Sequence, residues 1–430
     1  MNRNRMRFSQ ASSKKIRRPG YRWTVFVILS LQYLLVYFHR VSPALMTREL
    51  VAAFSISGAS LGLLSSSYFY AYALMQLPVG IFADRWGARK TITLFSAIGA
   101  VGAILFGLAP NFQVATAARV LVGLGLSAVF VPAMRVCASL FSAREYAAVS
   151  GLLLAMGGVG WFVAATPLTW MTALFGWRGT FTGIGVLTIL LATATWFLVV
   201  EEPSQSTRAG DASGKHQQSV WAGLRLVLST GRFWPLAGWF FFFGGILFGF
   251  CGLWAGPYLM DVCELSKSEA GNVLSMIALG TIVGGPLLGR ISDRMVRRRK
   301  SVICFASLME VLLMILVFSL KGRLPYAALF PIFFLFGIFG NGIAVVAFAA
   351  AKELFALEIA GTAVGSVNFF AFISAAIYQP LSGLIMDMTG RTNGGYPPEA
   401  YTPVLFCFLI TSILLLICIS LFREESRPND

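Results

Sequence analysis

The chain contains 430 residues, of which 57% are hydrophobic and only 12% are charged. A soluble globular protein of this size cannot bury so large an apolar fraction, so that class is excluded. The net charge of +16 does not indicate nucleic-acid binding, because cations in such an apolar chain set membrane orientation and contact anionic headgroups. The composition therefore predicts a multi-pass membrane protein whose surroundings are the lipid bilayer.

The N-terminal tail, residues 1–21, is strongly basic. Residues 1–22 carry eight Lys or Arg and no acid, and by the positive-inside rule such a segment stays in the cytoplasm. Apolar runs of roughly 20 residues follow, the length that a helix needs to cross about 30 Å of hydrocarbon. They lie near 22–46, 60–83, 90–109, 113–140, 147–170, 178–200, 233–260, 268–289, 301–320, 325–350, 360–387 and 401–422. Twelve crossings place both termini on the cytoplasmic side.

The longest polar interruption, residues 201–232, divides the chain into two halves. Its Ser, Gln, Gly and Lys content predicts a flexible cytoplasmic linker. Six runs precede it within residues 22–200, and six follow within 233–422, before a short cytoplasmic tail at 423–430. We therefore expect an all-α membrane protein built from two bundles of six transmembrane helices.

One short motif occurs in both halves, after the second and after the eighth apolar run. Its members are Gly80, Asp84, Arg85, Gly87 and Arg89 in the first copy and Gly289, Asp293 and Arg294 in the second. The two aspartates are 209 residues apart, which indicates an internal repeat of six helices. Glycine permits close packing of a helix end, and aspartate can cap a neighbouring helix or accept from an arginine. The motif predicts a gate at the cytoplasmic face.

This motif resembles the loop signature of the major facilitator superfamily, although its second copy has Val296 where the signature has a glycine. The stretches Arg119 to Gly125 and Gly176 to Arg178 add to the resemblance, which covers the whole membrane region. It implies two six-helix bundles around a central cavity, with access alternating as the halves rock. We assign Arg119 to the gating residues with the loop motif.

Arg40 lies inside the first apolar run, where a cation costs about 2.5–3.5 kcal/mol on insertion scales. No acid in that run can pair with it. Because the planar guanidinium binds a carboxylate or phosphate in two places, an anionic substrate group is the natural partner. Tyr33 and Tyr37 lie two turns and one turn before it, on roughly the same face. The alternative is that Arg40 snorkels to the headgroups.

The fourth run contributes a second cation, Arg135. The first-run pattern around Arg40 and the fourth-run stretch from Phe130 to Arg135 resemble the organic-anion branches of the superfamily, the sugar-phosphate, hexuronate and sugar-acid carriers. In those branches, cations at these positions hold the anionic group of the substrate. Phosphate carriers tend to place another arginine in the seventh run, where this chain has Trp254 and Tyr258, so we expect a carboxylate.

Further polar side chains at membrane depth are weaker candidates for substrate contact. They are Asn341, Asn368 and Gln379, with Tyr68, Tyr72 and Tyr378 beside them. Each needs a polar partner within the membrane, and hydrogen bonds between helices satisfy that need as well as a substrate does.

Two titratable groups are candidates for coupling transport to protons. The sugar-acid branch often has an acid directly before the first-run arginine, and here the residue is His39, which titrates near neutral pH or serves as a neutral donor. Glu310 is the carboxylate in the middle of an apolar run. Its alternative role is structural, either paired with another side chain or as a protonated acid. Glu353 and Asp387, closer to helix ends, are assigned to the cytoplasmic gate of the second half.

The sequence contains few of the residues and motifs that enzymatic chemistry requires. There is no Walker motif, the six cysteines show no metal-binding spacing, and the chain has only two histidines, so we expect no cofactor, metal site or catalysis. The sequence predicts a monomeric secondary carrier of a small organic anion in a bacterial inner membrane, driven by proton symport or exchange with a counter-anion. The alternatives are an amino-acid or peptide carrier, a drug exporter, and a ligand sensor that does not transport.

Overall fold

The computed structural model describes residues 19–424 except 77, 201–219, 297, 357–358 and 392–394. Almost all of the predicted basic tail, most of the linker and residues 425–430 therefore lie outside the described part. The regular elements of the described residues are helices. This result confirms the all-α expectation.

The first half contains nine helical segments within its described residues. They are α1 Pro19–Val41, α2 Thr47–Phe54, α3 Gly58–Leu74, α4 Pro78–Trp86, α5 Ala88–Leu108, α6 Phe112–Ser127, α7 Phe130–Leu140, α8 Ala143–Val163 and α9 Thr166–Leu198. A 3-10 turn, Ser42–Leu45, follows α1. Gly176 interrupts α9 with a φ of 68°, a value that glycine adopts without strain, and this kink falls between the predicted runs 147–170 and 178–200.

The described residues of the second half add nine more α-helical segments. They are α10 Val220–Ser229, α11 Phe233–Gly244, α12 Ala255–Asp261, α13 Lys267–Arg290, α14 Arg299–Leu320, α15 Tyr326–Leu335, α16 Ala344–Glu353, α17 Ala360–Asp387 and α18 Pro398–Leu421. Three π-helical segments lie between them, Gly245–Trp254, Ile291–Val296 and Phe336–Gly342. Such wide turns are rare in proteins and occur mostly at functional sites.

The described residues include eleven helical stretches long and apolar enough to cross a membrane, and a twelfth if the bent pair α2 and α3 forms one crossing. We call the end of the bundle that holds Pro19 and Leu421 the terminal end, and the opposite end the distal end. Helix α3 ends shortly before Pro78, whose ring cannot continue the hydrogen-bond ladder of a preceding helix.

Buried polar side chains connect the helices of the first half. Gln32 of α1 donates to the hydroxyl of Thr195 at 2.5 Å and accepts from Ser96 at 2.6 Å. Helices also approach closely where glycine is present, since a Cβ on Gly123 of α6 would overlap the backbone of Tyr68 in α3. Membrane helices associate through small residues and hydrogen bonds of this kind, because lipid supplies no hydrophobic drive between them.

The second half has its own polar connections. The indole of Trp239 donates to Ser307 at 2.9 Å, which joins α11 to α14. Thr411 of α18 donates to the hydroxyl of Tyr378 in α17 at 3.0 Å. Each half is thus bonded internally by side chains that would otherwise be unsatisfied in lipid.

The two halves are bonded to each other at the distal end. The Asp387 carboxylate, at the end of α17, accepts hydrogen bonds from the backbone N–H groups of Gly58 and Ala59 at 2.8 Å each. These N–H groups belong to the first turn of α3, where a helix has unsatisfied donors and a partial positive charge. Two ion pairs cross the same interface, Arg48 with Asp261 at 2.6 Å and Lys267 with Glu49. The distal end is therefore closed.

Candidate functional site

Arg40 lies near the end of α1 and is only 3% exposed. Its Cζ atom is 4.4 Å from the ring centroid of Tyr37, 4.6 Å from that of Tyr72 and 4.8 Å from that of Phe372. The ring of Phe248 is 5.9 Å away. A guanidinium stacks well on aromatic faces, so these four rings form a cage around the cation, which we call the Arg40 cage.

The Arg40 cage is built by both halves of the molecule. Tyr37 and Tyr72 come from α1 and α3, whereas Phe248 comes from the π-helical segment Gly245–Trp254 and Phe372 from α17. Within the described residues, no carboxylate lies within ion-pair distance of Arg40, and its Nε atom has no hydrogen-bond partner. A buried cation without a counter-charge is costly. The cage therefore holds a buried arginine that has no counter-charge among the described residues.

Polar groups border the cage on its terminal side. Asn368 of α17 donates to the side-chain carbonyl of Gln76 at 2.7 Å, a bond between the two halves. Tyr33 packs against the ring of Tyr37 at 5.5 Å and that of Phe130 at 4.9 Å. Of the predicted substrate residues, the structure thus places Tyr37 on Arg40 and Tyr33 against Tyr37, whereas Asn368 lies one turn before the cage residue Phe372 on α17.

Two predicted residues of the second half lie behind Phe248 rather than against Arg40. The indole of Trp254 donates to the backbone carbonyl of Gln379 at 3.3 Å, and Gln379 donates to the backbone carbonyl of Phe248 at 2.9 Å. The Oε1 atom of Gln379 is buried without a partner. These contacts position the segment that carries Phe248, so both side chains act on the cage through another residue in this conformation.

The structure separates the remaining substrate candidates from the cage. Tyr258 packs against Phe250 and Tyr401, with ring centroids 6.3 Å and 6.0 Å away, toward the distal end. Asn341 lies in the π-helical segment Phe336–Gly342 and is partly exposed. Arg135 is exposed on α7, five residues or about 7.5 Å along the helix from Phe130.

The two coupling candidates also point away from Arg40. His39 is buried in the first half, where its ring lies 5.6 Å from that of Phe181 and its Nδ1 atom has no partner. Glu310 is buried inside the second half on α14, 1% exposed. Adjacent positions on a helix differ by about 100°, so His39 cannot share the face of Arg40.

Comparison with known proteins adds an independent observation. The model of the Major Facilitator Superfamily matches residues 22–266 and 252–430. The chain is 25% identical to the "Probable galactarate/D-glucarate transporter GudP" of Escherichia coli (strain K12), with 98% of each chain covered. It is 24% identical to the "Hexuronate transporter" of Bacillus subtilis (strain 168), with 80% of this chain and 82% of that protein covered.

Among solved structures, the fold is similar to a bacterial homologue of the human lysosomal transporter Spinster, crystallised in an inward-facing and unoccupied conformation. The TM-score is 0.75 at 20% identity, with 94% of this chain and 97% of that one covered. The family match spans the whole membrane region. The chain belongs to the Major Facilitator Superfamily. It is a multi-pass membrane transporter and not an enzyme, and its relatives confirm the resemblance to the organic-anion branches.

The superfamily signature in the first half lies at the terminal end, around the start of α5. Gly87 has a φ of 86°, which explains why glycine is needed there. The guanidinium of Arg89 lies 5.1 Å from the ring of Trp196, and Arg85 is exposed. The side chain of Asp84 is outside the described residues.

The second copy of the signature forms an ion-pair network. Arg299 of α14 pairs with Asp293 and, at 3.1 Å, with Glu353 at the end of α16, whereas Arg294 is exposed. Glu353 therefore lies at the terminal end beside the second copy of the motif. A Cβ on Gly80 or on Gly289 would meet no atom within 4 Å, so close packing does not explain these glycines in this conformation.

Two assignments to the superfamily gate are corrected. Arg119 lies inside the first half, where it donates to the backbone carbonyls of His39 at 2.9 Å and Ser65 at 3.4 Å, and it therefore joins α6 to α1 and α3. Asp387 lies at the distal end and not at the terminal end with Glu353. Its bond from the Tyr396 hydroxyl measures 2.5 Å, and burial followed by this bond raises the pKa of Tyr396 to about 12.

Three residues that take part in these arrangements are not predicted from the sequence. Phe248 and Phe372 complete the Arg40 cage, but phenylalanine in an apolar run has no property that separates a cage ring from a lipid-facing one. Arg299 is the centre of the terminal-end network, and it was hidden in a run of arginines. Tyr72 had a signal as a polar group at membrane depth, and the structure places it directly on the cation.

Proposed function

We propose that this protein is a secondary carrier of a small carboxylate-bearing sugar acid, and that Arg40 holds the carboxylate. The observation that carries the proposal is the buried guanidinium with rings on its faces and no carboxylate partner among the described residues. Rings lie over the faces of the guanidinium, and its Nε atom has no hydrogen-bond partner. An arginine can donate two parallel hydrogen bonds to a carboxylate through its N–H edge, and we propose that the substrate carboxylate binds Arg40 in this way.

The names of the relatives support the substrate class. They describe transporters of galactarate and D-glucarate, which are dicarboxylates, and of hexuronate, which carries one carboxylate. The aromatic rings hold Arg40, which we propose binds the carboxylate of such a compound. The faces of the rings offer no hydrogen bonds to the hydroxyl groups on its carbon skeleton, so these hydroxyl groups need polar partners. Tyr33, Tyr37 and the Asn368–Gln76 pair supply them.

We further propose that transport follows alternating access, with residues 22–200 and 233–422 as the moving halves, the linker 201–232 between them, and both termini in the cytoplasm. The bonds at the distal end support a state that is closed to the outside. Opening that side requires the release of Asp387 from the first turn of α3 and of the ion pairs beside it. Proton symport by a monomer completes the proposal.

The test is uptake into proteoliposomes of a panel containing galactarate, a hexuronate, a sugar phosphate, an amino acid and an uncharged sugar. We expect uptake of the sugar acids and not of the uncharged sugar. Arg40→Lys keeps the positive charge but loses the planar pair of N–H donors that binds a carboxylate in two places. Because a hydrogen bond to a charged group contributes about 1.5–3 kcal/mol, the apparent affinity for the sugar acid should fall about 10- to 150-fold.

Arg323→Ala is the matched control, because this arginine is exposed in the turn after α14. It should transport like the wild type. If Arg40→Lys also transports like the wild type while it remains folded, Arg40 does not hold the substrate. Binding of a sugar acid without uptake would instead identify a sensor, and uptake of only the amino acid would identify a carrier of a different substrate class.

A further inference from the structure

Glu310 occupies an unusual environment for a carboxylate. It lies in the middle of α14, is 1% exposed, and its Oε2 atom is buried without a hydrogen-bond partner. Among the described side chains, no Lys or Arg lies within ion-pair distance of it. Transfer of an ionised carboxylate into such a site costs several kcal/mol when no cation compensates.

The neighbours of Glu310 are two of the three π-helical segments. Its Oε1 atom would lie 3.5 Å from a Cβ built on Gly340, in the segment Phe336–Gly342. Its carboxylate also interacts electrostatically with Cys251, in the segment Gly245–Trp254. That second segment also carries Phe248, the residue that covers Arg40. One buried carboxylate therefore lies within electrostatic range of the element that forms part of the Arg40 cage.

Other titratable groups near this carboxylate are few. Cys251 is the titratable side chain that interacts with it electrostatically, and Ser307, one turn earlier on α14, accepts from Trp239. The lysines of the same helix and its adjoining turn, Lys300 and Lys321, are ten and eleven residues away, about 15 Å along the axis. Neither can neutralise the carboxylate in the closed conformation.

We propose that Glu310 is a proton-binding site of the carrier, and that its loss and gain of a proton shift the π-helical segment that carries Phe248. The inference rests on the proposed function and names the residue that links the proton to the substrate. A π turn bonds residue i to i+5, so conversion to an α turn rotates the following residues by about 100°. Such a rotation would move Phe248 off the cage.

The proton balance is simple. In the state closed at the distal end, Glu310 is a neutral acid. The acid received this proton from the outer solution while the distal side was open. When the cavity admits water from the terminal side, the acid releases the proton to that water and becomes a carboxylate, which stays hydrated until the distal side opens again and a new proton binds. One proton therefore crosses from the distal side to the terminal side with each cycle.

The first experiment measures the proton directly and needs no substrate. Infrared difference spectra of the purified full-length protein, recorded as pH is raised, should contain a carboxylic-acid C=O band that Glu310→Gln removes. Glu399→Gln, which removes an exposed carboxylate in the same half, should leave the band unchanged. If the spectra of the Glu310→Gln and wild-type proteins are identical, Glu310 neither gains nor loses a proton over this pH range and the proposal fails.

The second experiment measures coupling in proteoliposomes with labelled galactarate. Glu310→Gln mimics the neutral acid, so it should exchange internal for external galactarate within about twofold of the wild-type rate, while accumulation driven by a pH gradient falls to a ratio of about one. Glu310→Asp keeps a titratable group and should accumulate the substrate. Full accumulation by Glu310→Gln contradicts the proposal. Absence of galactarate uptake by the wild type contradicts the proposed function instead, while the infrared result still decides whether Glu310 binds a proton.

Discussion

Replacement of Asp387 by Asn tests the distal closure with a result that can be worked out from the contacts. Each carboxylate oxygen accepts one backbone hydrogen bond, Oδ1 from Gly58 and Oδ2 from Ala59, both at 2.8 Å. Asn has one acceptor oxygen, so one of these bonds is lost and an amide N–H₂ is turned toward a donor. Loss of one hydrogen bond to a charged group costs about 1.5–3 kcal/mol.

The readout is amide hydrogen exchange at the start of α3, followed by mass spectrometry of the peptide that contains Gly58 and Ala59. A cost of about 1.5–3 kcal/mol should increase exchange of these amides about 10- to 150-fold, since 1.4 kcal/mol corresponds to a factor of ten. Glu399→Gln removes an exposed carboxylate from the same end and should leave the exchange unchanged. If Asp387→Asn protects these amides as well as the wild type, the carboxylate does not hold the distal end closed.

Two further predictions concern the cage and the packing of the first half. Phe372→Leu keeps apolar bulk but removes a ring 4.8 Å from the Arg40 Cζ atom. Because a desolvated cation–π contact contributes about 0.5–2 kcal/mol, affinity for a sugar acid should fall about 2- to 30-fold in equilibrium binding. An unchanged affinity would mean that the ring does not position the guanidinium. Gly123→Ala should lower the thermal unfolding temperature, because its Cβ would overlap the Tyr68 backbone at an overpacking cost of about 1–3 kcal/mol. The Cβ of Gly183→Ala would meet no atom within 4 Å, so this control should unfold at the wild-type temperature. Equal unfolding temperatures for both variants would contradict the close approach of α6 to α3.

Much of the architecture follows from features that a sequence displays directly. The lengths of the apolar runs define crossings, and the repeated Gly80 and Gly289 motif indicates two related halves. Gly176 falls between the predicted runs 147–170 and 178–200, and its positive φ agrees with a break in the helix there. Arg40 was identified because a cation in an apolar helix is costly enough to need a function. These signals depend on local composition, which the fold does not alter.

The errors share a physical origin, which is that helix direction and three-dimensional proximity are not visible in a single run. Asp387 was assigned to the same gate as Glu353, but α17 runs from the terminal end to the distal end, so its last residue is opposite to the last residue of α16. Arg119 matched a family motif, although its bonds join helices within one half. Phe248 and Phe372 belong to the second half and contact Arg40 of the first half, a proximity that the sequence does not display.

The central claim is that Arg40 binds the carboxylate of the substrate. Calorimetry of the purified protein with galactarate tests this claim most directly, with the wild type, Arg40→Lys and the control Arg323→Ala measured side by side. The account predicts binding by the wild type and by Arg323→Ala, and about 10- to 150-fold weaker binding by folded Arg40→Lys. Equal affinities for all three proteins would contradict it.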